Sequence, residues 1–192
     1  LIRTHAGERF FLAVGFVRPH VPFVAPAKYF EPFLPYDKLE LPPKIPGDWD
    51  DIPKAGINYK TSLNMKMDRR RQQKALGGYY ACVRFMDAQV GKVLAALTAA
   101  GLDDTTIVIF TSDHGYHLGE HDFWAKVSLH DESSQVPLII KVPGKQPAVC
   151  RSFVELLDLY PTLASLCGLE VPARLQGKNI ARLLDDPTQR VR

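Results

Sequence analysis

Hydrophobic positions fall into ordered runs along this chain, and each run predicts an element. From Glu8 to Val17 (ERFFLAVGFV) apolar residues are nearly continuous, the pattern of a strand covered on both faces of a sheet. Between Asp68 and Ala100, Leu76, Tyr79, Val83, Met86, Val90, Val93 and Leu97 recur at steps of three and four. That period predicts one long amphipathic helix, with Gly101 as its stop. The β-branched run Thr106 to Thr111 predicts a second strand, and Val136 to Val142, closed by Pro143-Gly144, a third. A further helix is predicted over Leu156 to Cys167, with Pro161 near its first turn and Gly168 at its end.

Polar and breaker residues fill the intervals. From Arg18 to Asn64 the chain carries Pro19, Pro22, Pro26, Pro32, Pro35, Pro42, Pro43, Pro46 and Pro53, a density that excludes regular helix or central strand. An irregular stretch of that length is more often functional than idle, so residues 18–64 are expected to wrap the rim of a site. Strand, long helix, strand, loop, strand, helix is the rhythm of a layered α/β fold, with a mainly parallel sheet flanked by helices. Residues 1–192 read as a single domain.

Composition changes this picture little. The chain has 192 residues, 46% of them hydrophobic, enough for one core. A net charge of +3, from 24 basic and 21 acidic residues, is too balanced to point to nucleic acid. No stretch approaches the roughly 20 apolar residues of a membrane span. Cys82, Cys150 and Cys167 form an odd set without CxxC spacing, which argues against a zinc cluster or a disulfide framework and predicts buried free thiols. The pairs Phe10-Phe11 and Tyr79-Tyr80 are expected to pack in or against the core. The chain opens Leu-Ile-Arg-Thr without an initiator Met, as an internal piece of a longer protein would.

The densest chemistry follows the Thr106 to Thr111 strand, in TSDHGYHLGEHDFWAK. Asp113 and His114 are metal-competent side chains at the carboxyl end of a strand, where open α/β sheets place their sites. Neighbouring strand residues point to opposite faces, so the two can share an ion only if the backbone turns, and Gly115 permits the turn. His117, Glu120, His121, Trp124 and Lys126 crowd the same loop. Lys126 suits the role of a fixed cation that holds an anionic group. His20, at the end of the first expected strand, is a candidate general acid. Arg69-Arg70-Arg71 reads as a solvated helix face.

Taken together, FFLAVGFVRPHVPFVAP, YYACVRFMDAQVGKVLAAL, TIVIFTSDHGYHLGEHDFWAK, SSQVPLIIKVPG and FVELLDLYPTLASLCGL follow one another as in type I sulfatases of the alkaline phosphatase superfamily, nearest to their iduronate-2-sulfatase branch. The resemblance covers nearly the whole chain. It implies that Asp113 and His114 are two ligands of a single calcium ion that polarises the sulfate and the nucleophile. It implies that His20, in RPHVPF, hydrogen-bonds or protonates the leaving alcohol, and that Lys126, in FWAK, grips sulfate oxygens. Tyr116, His117 and Trp124, with the Pro-rich stretch, would line a sugar-binding rim. The His114 nitrogen would suit zinc or manganese better than calcium, and the family's ion is calcium.

The resemblance also implies what these residues lack. Type I sulfatases use a formylglycine made from Cys in Cys-x-Pro-Ser-Arg, and none of the three cysteines stands in that sequence. The signature, two further Asp ligands and a Lys-His sulfate-binding pair are expected upstream, and a small subdomain downstream, leaving the fold incomplete at both ends. The implied substrate is a sulfated saccharide of the glycosaminoglycan type, and the implied location periplasmic, secreted or lysosomal. Expected partners are the remaining sulfatase segments or a second copy at an exposed sheet edge, not nucleic acid. Two other readings stand beside this one: a phosphodiesterase or phosphonate hydrolase of the same superfamily, and a catalytically incomplete piece with weak affinity for sulfated glycans.

Overall fold

The computed structural model describes residues 1–56 and 66–192; the last part of the Pro-rich stretch, 57–64, lies outside the described residues. The elements in chain order are helix α1 (Arg69–Ala99), strand β1 (Val108–Thr111), helix α2 (Asp131–Ser134), strand β2 (Leu138–Lys141) and helix α3 (Leu159–Leu166), interspersed with short 3-10 turns. Strands β1 and β2 pair in a two-stranded sheet. Two compact units emerge, one from residues 1–103 and 110–138, the other from 104–109 and 139–192.

Helix α1 starts and stops where its sequence requires. Asp68 has extended backbone, and its carboxylate accepts from the Arg71 amide at 2.8 Å, filling one of the donors a helix start leaves open. At the other end Gly101, with φ +67°, lets its own amide reach Thr98 O and the Leu102 amide reach Leu97 O. This paired C-terminal closure needs a residue tolerant of left-handed backbone, which glycine is.

The Pro-rich segment runs as a strap of 3-10 turns over the first half of α1. Tyr29 packs on Phe85 with ring centres 5.2 Å apart, Phe33 on Tyr80 at 5.6 Å and Phe23 on Tyr79 at 5.8 Å. Gln73, buried, donates to the carbonyls of Asp37 and Leu39 and so satisfies a stretch of backbone with no ladder of its own. A methyl group at Gly77 would fall 2.5 Å from the Tyr36 ring, so the strap can approach this closely only over glycine. Leu76, Ala81, Cys82 and Leu97 complete the buried face of the helix.

The second unit is organised around Asp158, whose side chain is fully buried at the start of α3. Its carboxylate accepts from the amides of Glu155 at 2.9 Å and Lys178 at 2.7 Å, and the Arg192 guanidinium. Thr162 Oγ1 donates to the Asp158 carbonyl and accepts from the Ile180 amide, tying the C-terminal segment to the helix. Ala164, Ile180 and Leu183 form the apolar contacts.

Several expectations are corrected. Residues 8–17 form no strand: the sheet holds only β1 and β2 among the described residues, and a strand exists only where a neighbour accepts its ladder. In consequence Phe10, Phe11, Val14, Phe16 and Val17 are exposed, Phe11 to 79%, so the Phe10-Phe11 pair is not core. Of the thiols, Cys82 is buried whereas Cys150 and Cys167 are exposed. The last predicted helix divides into a 3-10 turn, Leu156–Asp158, and α3, with Pro161 in the first turn of α3.

Candidate functional site

Strand β1 ends at Thr111, and the chain turns at once. Ser112 Oγ donates to the His114 carbonyl at 2.9 Å, and the Gly115 amide donates to the Ser133 carbonyl at 2.8 Å. A Cβ at position 115 would lie 2.1 Å from the Glu132 carbonyl oxygen, so only glycine lets these two backbones meet. The turn expected between Asp113 and His114 is therefore set by a close backbone approach.

It places the two side chains together. Asp113 Oδ2 faces His114 Nε2 at 3.6 Å, and Asp113 Oδ1 accepts from the His114 amide at 3.1 Å. His114 Nδ1 lies 2.8 Å from the Gly115 carbonyl, which only a protonated Nδ1 can satisfy. The Nε2 lone pair is thereby aimed at the carboxylate, an arrangement suited to a shared cation. Asp113 is open to solvent, its side chain 85% exposed. Slight burial pushes its carboxyl up, but His114, the backbone amides and Lys126 together hold it below the ordinary carboxylate value.

Lys126 thus acts on Asp113 through charge rather than contact. His20 stands elsewhere in the same unit: it is exposed, its Nδ1 is 2.6 Å from the Val21 carbonyl, and Arg18 Nη1 donates to the His20 carbonyl. No hydrogen bond or ion pair joins His20 to Asp113, His114 or Lys126 among the described residues.

The three expected rim residues separate. Tyr116 is half-buried, stacked on Tyr79 at 5.6 Å, with its hydroxyl donating to the Trp124 carbonyl. Burial raises the Tyr116 and Tyr79 hydroxyls above their ordinary values. His117 and Trp124 are buried, 0% and 3% exposed, and shape the loop from inside. His117 Nε2 meets Ser128 Oγ at 2.7 Å, and burial, with the nearby His130, holds its imidazole below its ordinary value against the pull of Glu132 and Glu120.

A second constellation was not singled out from the sequence. His121, His130 and Glu132 place one ligand atom each within 4.8 Å of one another. Asp48, from the Pro-rich strap, meets His121 Nδ1 at 2.9 Å, while His121 Nε2 faces Glu132 Oε2 at 3.6 Å. The readable signal was the spacing of His121, His130 and Glu132 within twelve residues, from the loop into α2. Asp48 carried none, lying far away in the chain.

With this geometry in hand, comparison with known proteins is decisive. A family model described as Sulfatase matches residues 1–169. The chain belongs to the sulfatase family. This sulfatase chain is 36% identical to a sulfatase of Formosa agariphila over 186 residues, covering 92% of this chain and 36% of that protein. It is 35% identical to the iduronate 2-sulfatase of Homo sapiens, covering 86% of this chain and 37% of that one. Among solved structures it is similar to a phosphonate monoester hydrolase from Silicibacter pomeroyi, with TM-score 0.85 and 30% identity, covering 94% of this chain and 38% of the other. The sulfatase chain therefore spans little more than a third of the relatives it matches, within a fold that sulfatases share with phosphonate hydrolases. No helix among the described residues is long and apolar enough to cross a membrane.

Proposed function

We propose that this sulfatase chain is the part of a calcium-dependent sulfuric ester hydrolase that supplies two metal ligands and the groups handling sulfate and leaving alcohol. The observation that carries the reading is the Asp113–His114 pair, in which one histidine nitrogen is pinned to the Gly115 carbonyl and the other faces the carboxylate. Two donors are a fraction of the six to eight that calcium takes, so the remaining ligands belong to segments outside these residues. Asp113 and His114 would hold part of the calcium shell, and the ion would supply polarisation of the sulfate and the attacking group.

The other roles follow from side-chain chemistry. Lys126, which already lowers the Asp113 carboxyl, stabilises charge on the sulfate oxygens. His20 is exposed, with Nε2 directed away from its own backbone contact, and serves as donor to the leaving oxygen. Tyr116 contributes to the rim. The formylglycine nucleophile is supplied by another segment, since no cysteine here stands in Cys-x-Pro-Ser-Arg. The apolar face from Phe10 to Val17 packs against those segments, or against a second copy where they are missing.

Likeness to iduronate 2-sulfatase supports a sulfated sugar as substrate, in a periplasmic, secreted or lysosomal setting. A cavity of 460 Å³ lined by Pro42, Pro43, Lys44, Arg69 and Gln72 supports an anionic saccharide, being of ligand size with the Arg69 guanidinium on its wall. The test is aryl sulfate hydrolysis by the longer polypeptide carrying the formylglycine signature, with wild-type and Asp113→Asn proteins compared. Turnover abolished by the substitution is expected; a longer reading frame without Cys- or Ser-x-Pro-Ser-Arg would sink the reading. A second reading, phosphonate ester hydrolysis, is favoured by the TM-score of 0.85. Preference for an aryl phosphonate over the aryl sulfate in the same assay would select it.

A further inference from the structure

We propose that His121, His130 and Glu132 form a binding site for a divalent transition-metal ion, zinc being the best match, separate in its ligands from the Asp113–His114 pair. Two imidazole nitrogens and one carboxylate oxygen, one from each residue, lie within 4.8 Å of each other. That donor set is the His2Glu type which zinc accepts with its remaining position open to water, and the nitrogens select against calcium and magnesium.

A further contact makes the cluster more than a chance gathering. Asp48 Oδ2 lies 2.9 Å from His121 Nδ1, so the proton sits on Nδ1 and the Nε2 lone pair is directed at Glu132, 3.6 Å away. Carboxylate to imidazole to metal is the usual outer-shell support of a zinc histidine, fixing both tautomer and ring direction. The backbone helps to hold the ring in place. His121 and Asp122 both have φ of 55°, a costly conformation for residues other than glycine, and the Trp49 indole N–H braces it by donating to the His121 carbonyl at 3.1 Å.

Access and charge fit as well. A cavity of 140 Å³ lined by Ile45, Asp48, His121 and Glu132 opens beside the cluster, room for an ion and its water. Lys44, the cation on the same wall, is engaged by Asp122 and leaves Asp48 and Glu132 facing the histidines. The His121 and His130 rings stack at 3.9 Å and 15°, so loading splays them as their nitrogens close to roughly 3.4 Å, the separation that zinc–nitrogen bonds near 2.1 Å impose.

The test is zinc titration of the 192-residue chain, stripped of metal, against a chromophoric chelator, with cobalt substitution as a spectroscopic readout. One equivalent of zinc is expected, retained when Asp113→Asn and His114→Asn are combined. His130→Gln or Glu132→Gln should weaken it by more than about 100-fold, and Asp48→Asn, which spares the ligands, by about 10- to 100-fold. Circular dichroism establishes that each variant folds; if His130→Gln does not, Asp48→Asn and Glu132→Gln decide the matter. Zinc held at micromolar concentration by neither protein, or binding that survives these substitutions and vanishes with Asp113 and His114, overturns the proposal.

Discussion

Arg192 closes on Asp158 with two nitrogens, Nη1 to Oδ2 at 2.6 Å and Nη2 to Oδ1 at 3.0 Å, and thereby neutralises a fully buried carboxylate. Burial alone would push this carboxyl up, but Arg192 and the amides of Glu155 and Lys178 hold it at about 2, against 3.8 for an ordinary aspartate. A folded value below the unfolded one means stability present above the unfolded value and lost as pH falls towards the folded one. The gap corresponds to roughly 2 kcal/mol at neutral pH. Arg192→Ala removes only its share of that gap, so it should cost up to about 2 kcal/mol at pH 7 in urea unfolding and less near pH 3. An equal loss at both pH values would show that the ion pair is not its source.

Gly115→Ala should destabilise the first unit by about 1–3 kcal/mol, because the added methyl meets the Glu132 carbonyl oxygen at 2.1 Å and one backbone must retreat. The retreat also moves the carbonyl that holds His114 Nδ1. Thermal melts, with the His114 ring followed by NMR, check both effects; a melt equal to wild type would contradict the close approach.

Asp68→Ala removes the side-chain acceptor for the Arg71 amide and should lower stability by about 1 kcal/mol, with little change for Asp68→Ser. Chemical denaturation of the two variants separates loss of the cap from loss of charge.

If the proposed role of Lys126 holds, Lys126→Ala in a longer polypeptide carrying the formylglycine signature should lower kcat by about 100- to 1000-fold, the usual cost of removing one preorganised charge-stabilising donor. Lys126→Arg should recover part of it. Steady-state kinetics on an aryl sulfate give the answer, and an effect confined to KM would assign Lys126 to binding alone.

Of the three thiols, Cys150 and Cys167 should react promptly with a disulfide reagent, whereas Cys82 should not react until the chain unfolds. Cys82 is 0% exposed, and burial raises its thiol even though Arg18 pulls the other way. Thiol titration with and without denaturant measures the difference.

Helix α1 and the Asp113-His114 turn were legible because local rules decide both. An aspartate at the start, a three-and-four period and a glycine stop fix the helix, and Ser-Asp-His-Gly after a β-branched run fixes the turn. Residues 8–17 were misread because strand formation depends on neighbours, and hydrophobicity alone cannot provide a ladder partner. The burial of His117 and Trp124 was not legible, because a dense polar loop gives no sign of which side chains turn inward. The His121 cluster was missed because its orienting carboxylate, Asp48, comes from a segment whose prolines announced only irregularity.

The strap packed on α1 runs on to Asp48, which orients His121. Gln73 holds the carbonyls of Asp37 and Leu39, and Tyr36 lies flush on Gly77, nine to twelve residues before the chain reaches Asp48. How firmly α1 grips this strap fixes how much conformational freedom Asp48 has left to surrender when His121 is oriented. Helix packing at Gln73 thereby becomes an entropic control on an ion bound elsewhere in the same unit.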